Sequence, residues 1–277
     1  MCILFIHTDP NPQPNGYRVI IISNRDEFYA RPSQQISRVN DVIGGRDLEP
    51  NRSGGMWLGV SVQQTENFKF RFGALLNVTG EEHKHGIKGR GFIVTDYLEG
   101  DNIAEKYMSS LINSEEEYNG FNFVAVEVSQ NGISTHYCSN ISKSYTRYVG
   151  KQVLGFGNTV LETPLKKVLA GTENFEMLIE ECSGANDKDK LVEKLLYLLK
   201  WKKRHLPDSE LQRRQPSWYE GLSSLFVNIP NAGYGSRTHS IILIDYNWNM
   251  EFFEATMKEP ININDPTWLT DAIKARL

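Results

Sequence analysis

The fold is decided by YRVIIISNRDE, residues 17–27, together with the shorter apolar run CILFIH, residues 2–7. Between them lies a loop of proline, asparagine and glycine, residue types that favour turns and oppose helix. The two runs therefore predict a β-hairpin with a long loop. Residues 19–22 are continuously β-branched, which is typical of a strand that is buried on both faces.

Cys2 follows the initiator methionine and opens the first of these strands. Removal of Met1 would leave a thiol and a free α-amine on one residue, with unperturbed pKa values of about 8.5 and about 7.7–8.0. The amine can then act as a base for the thiol, as in an N-terminal nucleophile. The alternative at this point is that Cys2 is a small hydrophobic residue at the start of a strand.

The polar block Asn24-Arg25-Asp26-Glu27 ends the second strand. In an antiparallel hairpin this end returns to the neighbourhood of Cys2, where polar side chains are costly to bury unless they are paired. An arginine can stabilise a thiolate and an acid can orient an α-ammonium, although a surface ion-pair cluster fits equally well. Near the other end of the chain, glycines place Arg237 at a strand entrance, as an anion holder or as a solvated arginine.

The remaining pattern predicts one layered α+β domain over residues 1–277, with two mainly antiparallel sheets and helices outside them. Residues 205–216 are expected to form a loop. Further strands are expected at residues 57–62, 68–78, 121–128, 133–138, 147–149, 153–157, 223–229, 238–245 and 250–255. Helices are expected at residues 91–99, 102–113, 164–170, 175–181, 188–201 and 268–276.

Composition excludes several classes of protein. The net charge of −4 argues against a nucleic-acid binder, and three distant cysteines argue against a disulfide framework. No secretory signal is recognisable, and no run approaches the roughly 18–20 apolar residues of a membrane span. A cytoplasmic protein in a reducing compartment is expected.

Six blocks of sequence occur in an order that resembles the NRDE family, which includes the transport and Golgi organisation 2 proteins. The resemblance runs from residue 1 to about residue 257. The blocks are Met1-Cys2-Ile3, the stretch from Asn24 to Pro32, Gly55-Met56-Trp57-Leu58-Gly59, Leu75-Leu76-Asn77, Gly89-Arg90-Gly91 and Tyr234-Gly235-Ser236-Arg237-Thr238.

The resemblance implies the fold of an N-terminal-nucleophile hydrolase, a four-layer αββα sandwich. Its architectural relatives are cysteine amidases such as penicillin V acylase and bile salt hydrolase. By this resemblance Cys2 would be the nucleophile and Arg25 and Asp26 its supports. Arg237 would correspond to the arginine that lies late in the sequence of these enzymes. Asn77 and Asn158 resemble their oxyanion asparagines, which direct hydrogen-bond donors at developing negative charge. The adjacent spacing of Arg25 and Asp26 departs from that of the amidases and leaves their separate roles open.

The resemblance also implies a role in Golgi organisation and secretion and in haem and acyl-CoA handling, with association with the Golgi or mitochondria. An anionic amphipathic ligand is therefore expected, and no required cofactor. Lys88 and Arg90 precede a helix start, a position that suits an anion, although a solvated loop is the more common arrangement. Asn24 and Glu27 are the other expected ligand contacts.

Two functions remain open, a ligand carrier and a Cys2-dependent hydrolase of an amide or thioester. No metal is expected, because His83 and His85 have no third ligand at matching spacing. The basic and aromatic run at residues 200–204 allows a peripheral membrane contact, although cations are favoured at any helix C-terminus.

Overall fold

A computed structural model describes residues 2–84, 86–114, 117–182 and 188–277, without the side chain of Cys182. The strands are β1 (Ile3–Thr8), β2 (Tyr17–Phe28), β3 (Ser33–Val39), β4 (Val42–Asp47), β5 (Leu58–Ser61), β6 (Phe70–Asn77), β7 (Phe121–Ser129), β8 (Gly132–Ser139), β9 (Ser144–Val149), β10 (Gln152–Phe156), β11 (Asn228–Ile229), β12 (Tyr234–Asp245), β13 (Asn249–Met257) and β14 (Trp268–Arg276). The helices are α1 (Gly91–Glu99), α2 (Ala104–Ile112), α3 (Lys166–Cys182), α4 (Lys188–Leu199), α5 (Ser209–Arg214) and α6 (Tyr219–Leu222), with a 3₁₀ turn at Pro230–Ala232.

The chain divides into two compact units. The first contains Met1–Arg31 and Lys151–Arg276, and the second contains Pro32–Gly150 and Leu277. Each unit has one antiparallel sheet and its own helices, so the predicted α+β class with mainly antiparallel sheets is confirmed. The assignment of residues 1–277 to a single domain stays a prediction.

The first unit is built on the predicted hairpin. Its sheet has the order β10-β1-β2-β12-β13-β14, with β11 beside β12. In β2, residues 19–22 are at most 3% exposed, which confirms a strand that is buried on both faces. Each fully buried Val or Ile contributes roughly 1.5–3 kcal/mol of transfer free energy, so this strand is the centre of the unit.

Helices α3 and α4 cover one face of that sheet and pack on alternate residues of the hairpin, among them Phe5, Ile20 and Ile22. The sequence predicted two short helices where α3 is continuous through Gly171. A Cβ at Gly171 would lie 2.3 Å from the Phe5 ring, so glycine here permits close approach rather than a break. Among the described residues, no helix combines the length and apolarity that crossing a bilayer requires.

The second unit is a meander, with its strands in the order β3 to β9. Helices α1 and α2 pack on it through apolar side chains, and two buried charged residues of the sheet satisfy helix ends. Arg71 donates to the carbonyls of Tyr97, Leu98 and Gly100 at the end of α1. Glu127 accepts from the backbone N–H of Ala104 at the start of α2, at 2.6 Å. These contacts supply the hydrogen bonds that helix termini otherwise lack.

The predicted helix at residues 268–276 is wrong, because these residues form strand β14. They pair along the whole of β13, from Met257 opposite Trp268 to Asn249 opposite Arg276. The helix-forming composition is overridden because β13 would otherwise leave a row of unpaired backbone groups at the sheet edge. The polar, largely exposed side chains of β14 suit an edge strand.

Three smaller differences from the sequence prediction remain, and turn or cap chemistry explains the first two. Strands β3 and β4, absent from the sequence prediction, meet at a turn where Asn40 has a φ of 54°. The predicted loop at residues 205–216 contains α5, whose N-cap Asp208 accepts a hydrogen bond from the N–H of Leu211 at 2.9 Å. The predicted strand at residues 223–229 is reduced to the two residues of β11.

Candidate functional site

The hairpin register places the polar end of β2 beside Cys2, as the sequence predicted. Ile3 pairs with Asn24, so Cys2 precedes the first pair at the end where Arg25 and Asp26 continue β2. Cys2 is a free, half-buried cysteine. Burial raises the pKa of its thiol, and the negative charge of Asp26 raises it further. The thiol is therefore protonated at neutral pH in this arrangement.

Asp26 is a buried carboxylate at the centre of this end of the sheet. It is 4% exposed, and its Oδ1 accepts a hydrogen bond from the Ser236 hydroxyl at 2.5 Å. Burial raises the pKa of Asp26, while the positive charge of Lys167 and the bond from Ser236 lower it. Because side chains alternate along a strand, Arg25 points to the opposite face of β2 from Asp26.

Lys167 is the functional candidate that the sequence analysis missed. This α3 residue is 1% exposed, and its Nζ donates to the carbonyl of Ser224 at 3.2 Å. Burial lowers the pKa of Lys167, and the negative charge of Asp26, together with that of Cys2 when it is a thiolate, opposes that effect. We call Cys2, Asp26, Ser236 and Lys167 the thiol cluster.

No local signal distinguishes Lys167 from its neighbour. Lys166 and Lys167 are adjacent and identical in type, yet Lys166 is exposed while Lys167 is buried. Lysine is rarely buried unless its charge is paired. Two carboxylates interact with it, Asp26 and Asp208, and the stronger effect comes from Asp26 of β2, which is more than a hundred residues away in sequence.

Asn24 is buried and holds neighbouring chain segments together, so it is not exposed to a ligand from solvent. It is fully buried, and its Nδ2 donates to the carbonyls of Leu199 at 2.8 Å and Leu225 at 2.9 Å. Its Oδ1 lies 2.6 Å from His239 Nδ1. Because the amide nitrogen is already used as donor, Oδ1 must accept, and this fixes the proton of His239 on Nδ1.

His239 is a second residue that the sequence analysis did not select. Its ring stacks on the Trp268 ring with centroids 4.6 Å apart and an angle of 9° between the planes. Burial lowers the pKa of His239 to about 3, with a further contribution from Lys200. The imidazole is therefore neutral, and among the described residues Nε2 has no hydrogen-bond partner.

Arg237 is fully buried in a β-bulge between the pairs that Ser236 and Thr238 form with β2. Its guanidinium donates to the carbonyls of Phe28 at 2.9 Å and Arg31 at 2.5 Å. It also forms an ion pair with Glu259. These contacts anchor the turn that follows β2, and a catalytic role for Arg237 stays a prediction.

The roles predicted for one further ligand contact, Glu27, and for two catalytic residues, Asn158 and Asn77, stay predictions. Glu27 forms an ion pair with Arg31 at 3.9 Å. Asn158 is fully buried in the first unit, just beyond β10. Asn77 belongs to the second unit, where it is the exposed last residue of β6. The oxyanion roles of the two asparagines stay predictions.

The predicted cationic loop lies in the second unit. The Lys88 ammonium lies 5.8 Å from the centre of the Tyr118 ring. Arg90 donates to the carbonyl of Gly120 at 2.7 Å and so contributes to the structure of the loop. His83 contacts Asn119 at 3.4 Å, whereas His85 lies outside the described residues.

The matches to known proteins agree with the six sequence blocks. The family model described as "Transport and Golgi organisation 2" matches residues 1–259. A Drosophila melanogaster protein, "Transport and Golgi organization protein 2", is 39% identical over 93% of this chain and 92% of its own length. The Mus musculus homologue is 33% identical over 93% of each chain, and the Homo sapiens homologue is 32% identical over 94% of each. The family resemblance is thus confirmed, and the chain belongs to the transport and Golgi organisation 2 family.

Proposed function

We propose that this protein acts in Golgi organisation and secretion by binding an anionic amphipathic ligand such as haem or acyl-CoA. The relatives' names, which refer to transport and Golgi organisation, support the cellular part of this proposal. The proposal includes the N-terminal-nucleophile arrangement of a four-layer αββα sandwich, supported by the two antiparallel sheets and the Cys2 hairpin. It places the protein in the cytoplasm, associated with the Golgi or mitochondria.

One observation carries the ligand class: lysine ammonium groups lie repeatedly over aromatic rings. The pairs are Lys88 on Tyr118 at 5.8 Å, Lys200 on Trp268 at 5.7 Å, Lys202 on Phe226 at 5.5 Å and Lys203 on Trp201 at 5.6 Å. Each pair presents positive charge beside apolar surface. An amphipathic anion binds where positive charge and apolar surface adjoin, because its charged group pairs with a cation while its apolar body packs on apolar side chains.

A titration of the purified protein with haem and with oleoyl-CoA tests the proposal. Quenching of tryptophan fluorescence should show saturable binding that weakens as salt is raised, since exposed charges are screened. Oleyl alcohol, which has the same chain without the charge, is the matched control and should bind more weakly. Absence of saturable binding for both anions would remove the proposal. Imaging of the tagged protein against Golgi and mitochondrial markers tests its location.

The thiol cluster favours a second function, a hydrolase that uses Cys2 on an amide or thioester. The Cys2 thiolate would attack the substrate carbonyl and form an S–C bond, while the C–N bond of the amide or the C–S bond of the thioester breaks and the leaving group takes up a proton. Water would then hydrolyse the acyl-enzyme and release the acid and the Cys2 thiol. The buried charges of Asp26 and Lys167 act on this sulfur. The raised pKa of the Cys2 thiol argues against this function as long as Met1 is retained, because a protonated thiol is a poor nucleophile. Met1 itself lies outside the described residues.

Intact mass and thiol labelling distinguish the two functions. A processed protein whose Cys2 retains an acyl group from an activated ester would support the hydrolase. Cys2→Ser should abolish the adduct, while Cys138→Ser should keep it, because burial raises the pKa of Cys138 to about 12. Retained Met1 with a slowly reacting Cys2 would exclude the hydrolase.

A further inference from the structure

The first unit contains a cavity of about 410 Å³ whose lining joins the end of α4 to the segment before β14. Its volume is in the range of small-molecule sites, roughly 300–1,000 Å³. The wall combines two lysines with aromatic and aliphatic side chains, including Lys200, Lys202, Phe226, Trp268, Ile261 and Ile263. We call it the lysine cavity.

The charge of its lining sets the lysine cavity apart. Its described lining residues include two lysines and no carboxylate. Three other cavities of the same unit each contain acidic side chains: Glu181 and Glu193 in one, Asp9, Glu176 and Glu180 in the next, and Asp245 and Glu251 in the third. A positively charged cavity with apolar walls is suited to an organic anion.

Asn24 holds the two chain segments that form the wall. Its amide donates to the carbonyls of Leu199 and Leu225. These residues immediately precede Lys200 and Phe226. One buried side chain thus sets the distance between the cationic and the aromatic parts of the lining, which preorganises the cavity.

His239 holds the third part of the wall. Asn24 accepts a hydrogen bond from His239, whose ring stacks on Trp268. Phe226 also packs on His239, with ring centroids 5.9 Å apart. The buried pair Asn24 and His239 therefore fixes the lining from behind, without being part of it. A lining that is held in place before the ligand arrives lowers the entropy cost of binding.

We propose that the lysine cavity binds an amphipathic organic anion. The carboxylate, phosphate or sulfonate lies at the mouth between Lys200 and Lys202, and the apolar body lies against Trp268, Ile261 and Ile263. This inference rests on the proposed ligand class and assigns it a site, one that differs from the loop at Lys88 and Arg90. Asn24 and His239 act as positioning residues.

Two fluorescent naphthalenes of the same skeleton test the charge requirement. The anion is 1-anilinonaphthalene-8-sulfonate and the neutral analogue is N-phenyl-1-naphthylamine. The double variant Lys200→Gln/Lys202→Gln should lower the affinity for the anion about tenfold and that for the neutral analogue less than about twofold. The reason is that it removes positive charge and leaves the apolar wall unchanged. The control Lys106→Gln/Lys190→Gln removes the same charge from exposed positions outside the cavity and should leave both affinities unchanged.

A second variant tests the apolar wall. Ile263 is 38% exposed, so Ile263→Ser should fold normally and weaken both probes by about threefold. The inference is overturned if the wild-type protein binds the sulfonate and the double lysine variant binds it within twofold, because the site then lies elsewhere. Failure of wild-type protein to bind haem and oleoyl-CoA would instead overturn the proposed function. Unfolding curves of each variant establish that the fold is kept.

Discussion

Two regions of the first unit depend on residues two positions apart on one face of β2. Asp26 belongs to the thiol cluster, where a carboxylate and an ammonium are buried and interact with each other. Asn24 supports the lysine cavity, where two exposed lysines lie over aromatic rings and the described lining lacks a carboxylate. Opposite charges that are buried together offset part of the cost of each other's burial, whereas cations at an open apolar mouth can accept an anion from outside.

The largest expected effect is on the scaffold of the lysine cavity. Asn24→Ala should lower the free energy of unfolding by about 3 kcal/mol, because it leaves two carbonyls and the Nδ1–H of His239 buried without their partner. Urea unfolding measures this loss. The control Asn67→Ala, at an exposed position, should cost less than about 0.5 kcal/mol. Equal stability of the two variants would contradict a scaffolding role for Asn24.

The same scaffold should be sensitive to acid. The pKa of His239 is about 3 when folded and near 6.5 when unfolded, so its contribution to stability is full above pH 6.5 and declines as pH falls towards 3. Between pH 7 and pH 5 this amounts to about 2 kcal/mol. Urea unfolding at both pH values, compared between wild type and His239→Gln, isolates the effect from other histidines. An identical pH dependence in the variant would show that His239 is not the group responsible.

The thiol cluster should respond instead through the reactivity of Cys2. Lys167→Met removes a buried positive charge, so the pKa of the Cys2 thiol should rise further. The pH profile of Cys2 alkylation, followed by peptide mass spectrometry, reports this shift. Lys166→Met is the matched control, since Lys166 is exposed. A similar profile for both variants would remove Lys167 from the cluster.

The smallest expected effect is a difference in salt dependence between the lysine cavity and the thiol cluster. Raising sodium chloride from about 50 mM to about 500 mM should weaken sulfonate binding by about threefold, because the lysines of the cavity are exposed to counterions. The rate of Cys2 alkylation should change less, because Asp26 and Lys167 are buried. Equal salt dependence in both assays would show that the regions do not differ in exposure as described.

The hairpin and its polar end were predictable because they depend on local pattern. β-Branched residues 19–22, the turn-forming loop before them and the register at Cys2 follow from the composition of one short stretch. The same reasoning failed at residues 268–276, where local composition favours helix and the open edge of β13 imposes a strand. The helix preference of these residues contributes less free energy than the backbone hydrogen bonds that they form at the edge of the sheet.

The candidate site was predictable in part. Cys2, Asn24, Arg25, Asp26 and Arg237 could be selected as polar residues at strand ends, but their partners could not. Lys167 resembles any exposed lysine in sequence, and His239 resembles any residue of a β-strand. What distinguishes them is their interaction with residues of β2, which are distant in sequence: His239 forms a hydrogen bond with Asn24, and the charge of Lys167 interacts with that of Asp26.

The sequence by itself determined the family, the β1–β2 hairpin and the position of Cys2 beside the polar end of β2. Tertiary structure decided what those polar residues do. Asn24 donates to carbonyls 175 and 201 residues away, and the charge of Asp26 interacts with that of a lysine from α3. The physical reason is range: strand pattern is set between neighbours along the chain, whereas burial and charge pairing are set by whichever segments the fold brings together.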